Sequence, residues 1–178
     1  MLISKNLKQT SSGSLSFIKI QKTSIKLVFL ILLFSSPAQA LTADQRSFVN
    51  KIDYCLDSIY KRIDKDRHIS KEIIIAMAVL ESNWGKSRFA KEGLNFFGIR
   101  TFDLSVPHIK PKGFKNPKFG LRKFPNYCSS VAYTIWTLND HHAHKEFSKD
   151  KKIENLTNWA TDPEYIDKLK NKIRQFQK

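Results

Sequence analysis

Apolar residues recur at intervals of three and four along most of the chain after residue 41, the repeat of a helix with one buried face. Phe48, Ile52, Cys55 or Leu56, Ile59 and Ile63 set this repeat for a helix over residues 42–63, and Thr42 with Gln45 makes a capping box at its start. RIDKDRH follows as a polar linker. Ser70 is placed to cap a second helix, with Glu72 in its first turn. That helix runs through IIIAMAVLESNW and stops before Gly85. Its middle is apolar nearly all round, which predicts a buried central helix. Ser87 and Gly93 bound one short helical stretch.

The repeat vanishes over residues 94–125, where Gly98, Pro107, Pro111, Gly113, Pro117, Gly120 and Pro125 punctuate the chain. FFGIRTF and FGLRKF flank the basic segment KPKGFKNPK, which predicts a small β-hairpin or irregular lobe. Helix returns from about Cys128 to His142, carrying Val131, Ile135 and Leu138. A short helix is expected over 153–160. Asp162-Pro163 then opens a last helix, with Ile166, Leu169, Ile173 and Phe176 as its buried stripe. The fold class is mainly α, with one small inserted lobe.

The first forty residues follow a different rule. Lys5, Lys8, Lys19, Lys22 and Lys26 precede the apolar run LVFLILLF, and no acid occurs before Asp44. SSPAQA then ends in the small-x-small form of a signal-peptidase site. Residues 1–40 read as a signal peptide with a long basic n-region, and residues 41–178 as the mature domain. The apolar run is too short for a membrane-spanning helix, which needs about 20 residues. A periplasmic or secreted protein with no stable membrane anchor after cleavage is expected, acting as a monomer.

Formal net charge is +15 over 178 residues, and 41% are hydrophobic, enough for a globular core. Export directs that charge towards an envelope polyanion and away from nucleic acid. Cys55 and Cys128 are the only cysteines. They are free to pair in an oxidising compartment or to stay as two buried thiols. Neither has partners at metal-ligand spacing. His141, His142 and His144 are close in sequence, but adjacent residues do not share a helix face. No metal or cofactor is expected.

Glu81 stands out. Ala78, Met77 and Ile74, three, four and seven positions earlier, are apolar, so Glu81 shares a buried face. It also sits where the negative end of the helix dipole repels a carboxylate. Both effects raise its pKa. A carboxyl group kept neutral near pH 7 is what a general acid needs to protonate a glycosidic oxygen. The competing reading is an exposed helix end, with Glu81 paired to Lys86 or Arg88.

The residues around it resemble the family of bacterial endo-β-N-acetylglucosaminidases that cut peptidoglycan. The likeness rests on Glu81-Ser82, Trp84-Gly85, Ser87 and Asn95-Phe96-Phe97-Gly98-Ile99-Arg100. A second block, WATDPEYIDKL, is similar to the family's C-terminal segment, and LNDHHAH is similar to a segment of its Bax-like branch. The resemblance implies a lysozyme-like helical fold with a small β-lobe beside the cleft, and Glu81 as general acid. It also implies peptidoglycan glycan strands as partner, cut at the β-1,4 bond on the reducing side of N-acetylglucosamine.

Glycoside hydrolysis usually needs a second carboxylate. Between Glu92 and Asp140 the only acid is Asp103, so either Asp103 serves or the substrate's own 2-acetamido group supplies the nucleophile. A tyrosine would then orient the amide or the water. The family's helix tyrosine aligns with Thr134, one residue after Tyr133; Tyr133, Tyr127 and Tyr165 are candidates. Trp84 is placed to stack a sugar or to pack at the helix end. Asn95 and Phe97 are expected at the substrate, and Gly98 to let backbone approach it. The rival readings are a lytic transglycosylase and a non-catalytic wall-binding module.

Overall fold

The structure is a computed structural model that describes residues 40–176. The segment assigned to the signal peptide lies outside the described residues, apart from Ala40. The described domain is mainly helical, as its periodicity predicts. Helix α1 spans Ala43–Tyr60, and the Thr42–Gln45 capping box closes its start. It ends before Ile63, and Phe48, Ile52, Cys55 and Leu56 form its buried face.

Helix α2, Lys71–Ser82, is the central element. Every residue from Ile73 to Val79 is buried. Ser70 does not cap its backbone; its hydroxyl donates to the Glu72 carboxylate instead. The helix stops at Ser82, two residues earlier than predicted. Asn83, Trp84 and Gly85 then all take left-handed backbone conformations, with φ of 49°, 58° and 74°. The Ser82 hydroxyl accepts the Gly85 N–H at 2.7 Å and donates to the Ala78 carbonyl at 2.5 Å. Glycine is required at the third position, because a Cβ there would meet the Phe48 ring at 2.8 Å.

Helix α3, Arg88–Gly93, is capped by Ser87. Gly93 is still helical, and Leu94 makes the left-handed exit. The lobe is a three-stranded antiparallel sheet, where a hairpin was predicted. Its strands are β1 (Arg100–Thr101), β2 (His108–Ile109) and β3 (Gly120–Arg122), in the order β1-β3-β2. Leu121 faces Arg100 on one side and Ile109 on the other. The predicted basic and apolar runs supply β1 and β3; β2 comes from the stretch between them.

Helix α4, Tyr127–Asp140, packs on α1. The short α5, Lys145–Asp150, was not predicted, and the helix expected over 153–160 is only a 3-10 turn at Ile153–Asn155. Helix α6, Tyr165–Phe176, packs along α2. The Asp162 carboxylate accepts the Glu164 N–H, but regular helix begins only at Tyr165. No helix among the described residues is long and apolar enough to cross a membrane.

A disulfide between Cys55 and Cys128 ties α1 to the first turn of α4 across 73 positions. A closed loop of that length stabilises the fold by about 4 kcal/mol in the chain-entropy description. Reduction is therefore expected to lower the thermal midpoint markedly, read by circular dichroism with and without a thiol reductant.

Candidate active site

Glu81 stands at the floor of a cleft of about 600 Å³ between the helical body and the lobe. Gly98, Arg100 and Phe102 come from the lobe side, Tyr133, Trp136 and Thr137 from α4, and Trp159 to Thr161 from the segment before α6. Among the described residues, Glu81 is the one carboxylate lining this cleft. A second depression is lined by Ile73, Ile153, Ile173, Lys170 and Arg174 with Ser70 and Glu72, whose carboxyl the Ser70 hydroxyl holds below its ordinary pKa. It brings no such chemistry together.

The Glu81 carboxylate is half-buried. Its Oε1 accepts the indole N–H of Trp159 at 3.1 Å. The hydroxyl of Tyr165, itself buried, faces the same group. No hydrogen bond forms between them, but the two groups are close enough to shift each other's proton affinity. Burial pushes the Glu81 pKa up, against the lowering pull of Tyr165 and Trp159. Burial, and then the charge of Glu81, push the Tyr165 phenol up strongly. Glu81 makes no ion pair with Lys86 or Arg88; Arg88 pairs with Glu92 instead. Gly98 has φ of +64°, and a Cβ on it would lie 3.6 Å from Glu81 Oε2. The glycine therefore leaves the space above the carboxylate open.

The other expected residues divide. Phe97 is buried and lines the cleft with Gly98. Tyr133 also lines it, with its ring 5.4 Å from that of Trp136. Thr134 is fully buried and does not line the cleft, so the adjacent tyrosine is the one that meets it.

Asp103 does not line the cleft. It is exposed, and its carboxylate accepts from the Ser105 N–H and hydroxyl, which hold its pKa below the usual range. Trp84 and Tyr127 lie elsewhere too, in a separate depression with Phe48 and Phe96. Trp84 packs edge-on against Phe176 at 6.1 Å, and the Lys172 ammonium sits over its ring. Asn95 is a structural amide, 1% exposed. Its Nδ2 donates to the Ile99 and Arg122 carbonyls at 2.9 Å each, and its Oδ1 accepts from the Phe97 and Ile99 N–H groups.

Trp159, Trp136 and His144 were missed as site residues. Trp159 stands within the WATDP block, but its tie to Glu81 spans 78 positions and has no local signature. Among the described residues, no three histidine, cysteine or acidic side chains gather as a metal site.

A lone carboxyl with a raised pKa, in a cleft between a helical body and a small β-lobe, is the arrangement of a lysozyme-like glycoside hydrolase. The family model described as mannosyl-glycoprotein endo-β-N-acetylglucosaminidase matches residues 57–178, and the chain belongs to this glucosaminidase family. A putative endo-β-N-acetylglucosaminidase of Streptococcus pneumoniae is 37% identical over 62 residues, which cover 35% of this chain and 9% of that protein. The exo-glucosaminidase LytG of Bacillus subtilis is 23% identical over 150 residues, 75% of this chain and 52% of that protein. The chain thus spans about half or less of the length of these curated relatives. In fold it is similar to the catalytic domain of the autolysin Auto from Listeria monocytogenes. The TM-score is 0.57 at 20% identity, covering 88% of this chain and 95% of that one.

The raised Glu81 pKa has a sign that stability can report. A carboxyl whose folded pKa lies above its unfolded one withdraws stability as pH rises through its ordinary value of 4.5 and on to its folded value. Glu81→Gln removes that penalty and keeps an acceptor for Trp159. The variant is expected to melt above the parent at pH 7, with the difference vanishing below about pH 4. Thermal melts across that range would refute the burial argument if the two proteins coincide throughout.

Proposed function

We propose that the protein is an exported peptidoglycan hydrolase that cuts the β-1,4 bond after N-acetylglucosamine, with Glu81 as general acid. The observation that carries this is the Glu81 carboxyl, desolvated at the cleft floor and aimed by Trp159. Family membership supports the reaction class, and the sequence layout of residues 1–40 supports a periplasmic or secreted location.

In this reading Glu81 enters protonated and passes its proton to the glycosidic oxygen as the bond breaks. Asp103 faces away from this event, tied to Ser105. That supports the 2-acetamido carbonyl oxygen as nucleophile, closing a ring on the anomeric carbon that water then opens. Tyr133, on the cleft wall, is the group best placed to orient the amide. As Glu81 is left anionic after transfer, the Trp159 N–H stabilises the charge that develops. Glu81 then recovers its proton from the incoming water.

Digestion of purified sacculi tests the reading. The wild-type chain is expected to release fragments with reducing N-acetylglucosamine ends, identified by mass spectrometry. Glu81→Gln should reduce the rate at least about a hundredfold. Anhydromuramyl ends would instead identify a lytic transglycosylase, and binding without any product a wall-binding module. Equal rates from both proteins would remove Glu81 from the mechanism.

Trp159→Phe should act differently. It deletes the donor that lowers the Glu81 pKa, so the carboxyl stays protonated to higher pH. The basic limb of the pH–rate profile is expected to move upward while the maximum rate falls. An unmoved limb would detach Trp159 from Glu81 titration.

A further inference from the structure

His144 is the buried member of the LNDHHAH run, 7% exposed. It lines the Glu81 cleft, with its ring centre 5.6 Å from that of Trp159. Its Nδ1 is sealed from solvent and has no hydrogen-bond partner. No described residue bonds to Nε2 either, but that nitrogen is not sealed.

The two nitrogens differ in consequence. A sealed N–H without an acceptor carries a desolvation cost of about 1–3 kcal/mol. A sealed lone pair is the milder defect. The proton of the neutral ring therefore sits on Nε2. Double protonation would force a hydrogen onto the sealed Nδ1; burial, then the nearby His141 and His142, hold the pKa down. His141 takes the same tautomer for another reason, because its Nδ1 accepts the Ala143 N–H at 3.2 Å. A ring that served only to pack beside Trp159 would be better made without nitrogens. Here one is buried unpaired and the other has no partner among the described residues.

We propose that His144 is a substrate-recognition residue, donating a hydrogen bond from Nε2 to an acceptor oxygen of an N-acetylhexosamine chain in the Glu81 cleft. This rests on the glycan reading of that cleft. The Glu81 carboxylate is hydrogen-bonded to Trp159 and not to His144, whose contribution falls on binding and placement of the sugar, not on proton transfer.

The test uses the full chain carrying Glu81→Gln, so that ligand survives, and the N-acetylglucosamine tetramer as probe in calorimetry. The Glu81→Gln chain is expected to bind it. Adding His144→Phe, which keeps an aromatic ring beside Trp159, should weaken binding about fivefold without lowering the thermal midpoint. Adding His144→Gln, whose amide N–H₂ reaches the place of Nε2, should recover most of the loss. Undiminished binding by the phenylalanine variant overturns the proposal. So does a lowered midpoint in that variant, which would make His144 a packing residue. No binding by Glu81→Gln itself would sink the glycan reading of the cleft, and this inference with it.

Discussion

Helix α2 has no face to offer solvent. From Ile73 to Val79 every side chain is buried, so the helix must be covered on all sides at once. Helices α1 and α6 pack directly against it, and α4 packs on α1, to which the disulfide fixes it. The hydrophobic effect acts here through one saturated element, and the rest of the domain is arranged as its coat. That arrangement makes the end of α2 unusual. The carboxyl of Glu81 emerges where the coat is incomplete, half in a low-dielectric core and half in an open cleft.

The electrostatics follow from that position. Desolvation favours the neutral acid, while two donors, one formed and one only close, favour the anion. Desolvation has the upper hand and the donors temper it; a general acid needs that balance, because it must hold a proton and then release it. A fully buried carboxyl would never ionise, and an exposed one would never be protonated at neutral pH. The left-handed turn through Asn83, Trp84 and Gly85 is part of the same arrangement. It stops the helix one residue after Glu81 and sends the chain away from the cleft.

Much of this was legible in the sequence, and the limits have physical reasons. Helices α1, α4 and α6 show themselves through repeats of three and four, α2 through an apolar run between Ser70 and Gly85, and the capping box of α1 is local chemistry. Helix α5 is too short to establish a repeat, so its residues looked like linker. Glu81 was readable because its oddity is local, an acid on an apolar face at a helix end. Its neighbours were not. Trp159 meets it across 78 positions, and no spacing rule covers such a distance. Trp84 and Asn95 misled in a consistent way. Both lie close to Glu81 in sequence, and both serve the local geometry: one as packing against α6, the other as a hydrogen-bonding hub. Tyr133 and Thr134 could be separated only once the face of α4 was known.

Asn95 has a mechanical meaning. Its amide binds the carbonyl of Ile99, just before β1, and that of Arg122, at the end of β3. One side chain therefore grips the β-lobe at both its entry and its exit. With its root clamped, the lobe cannot swing as a hinged flap without breaking several buried hydrogen bonds together. The base of the lobe is thus a fixed wall of the cleft, set by one buried amide, and Glu81 lies beside it.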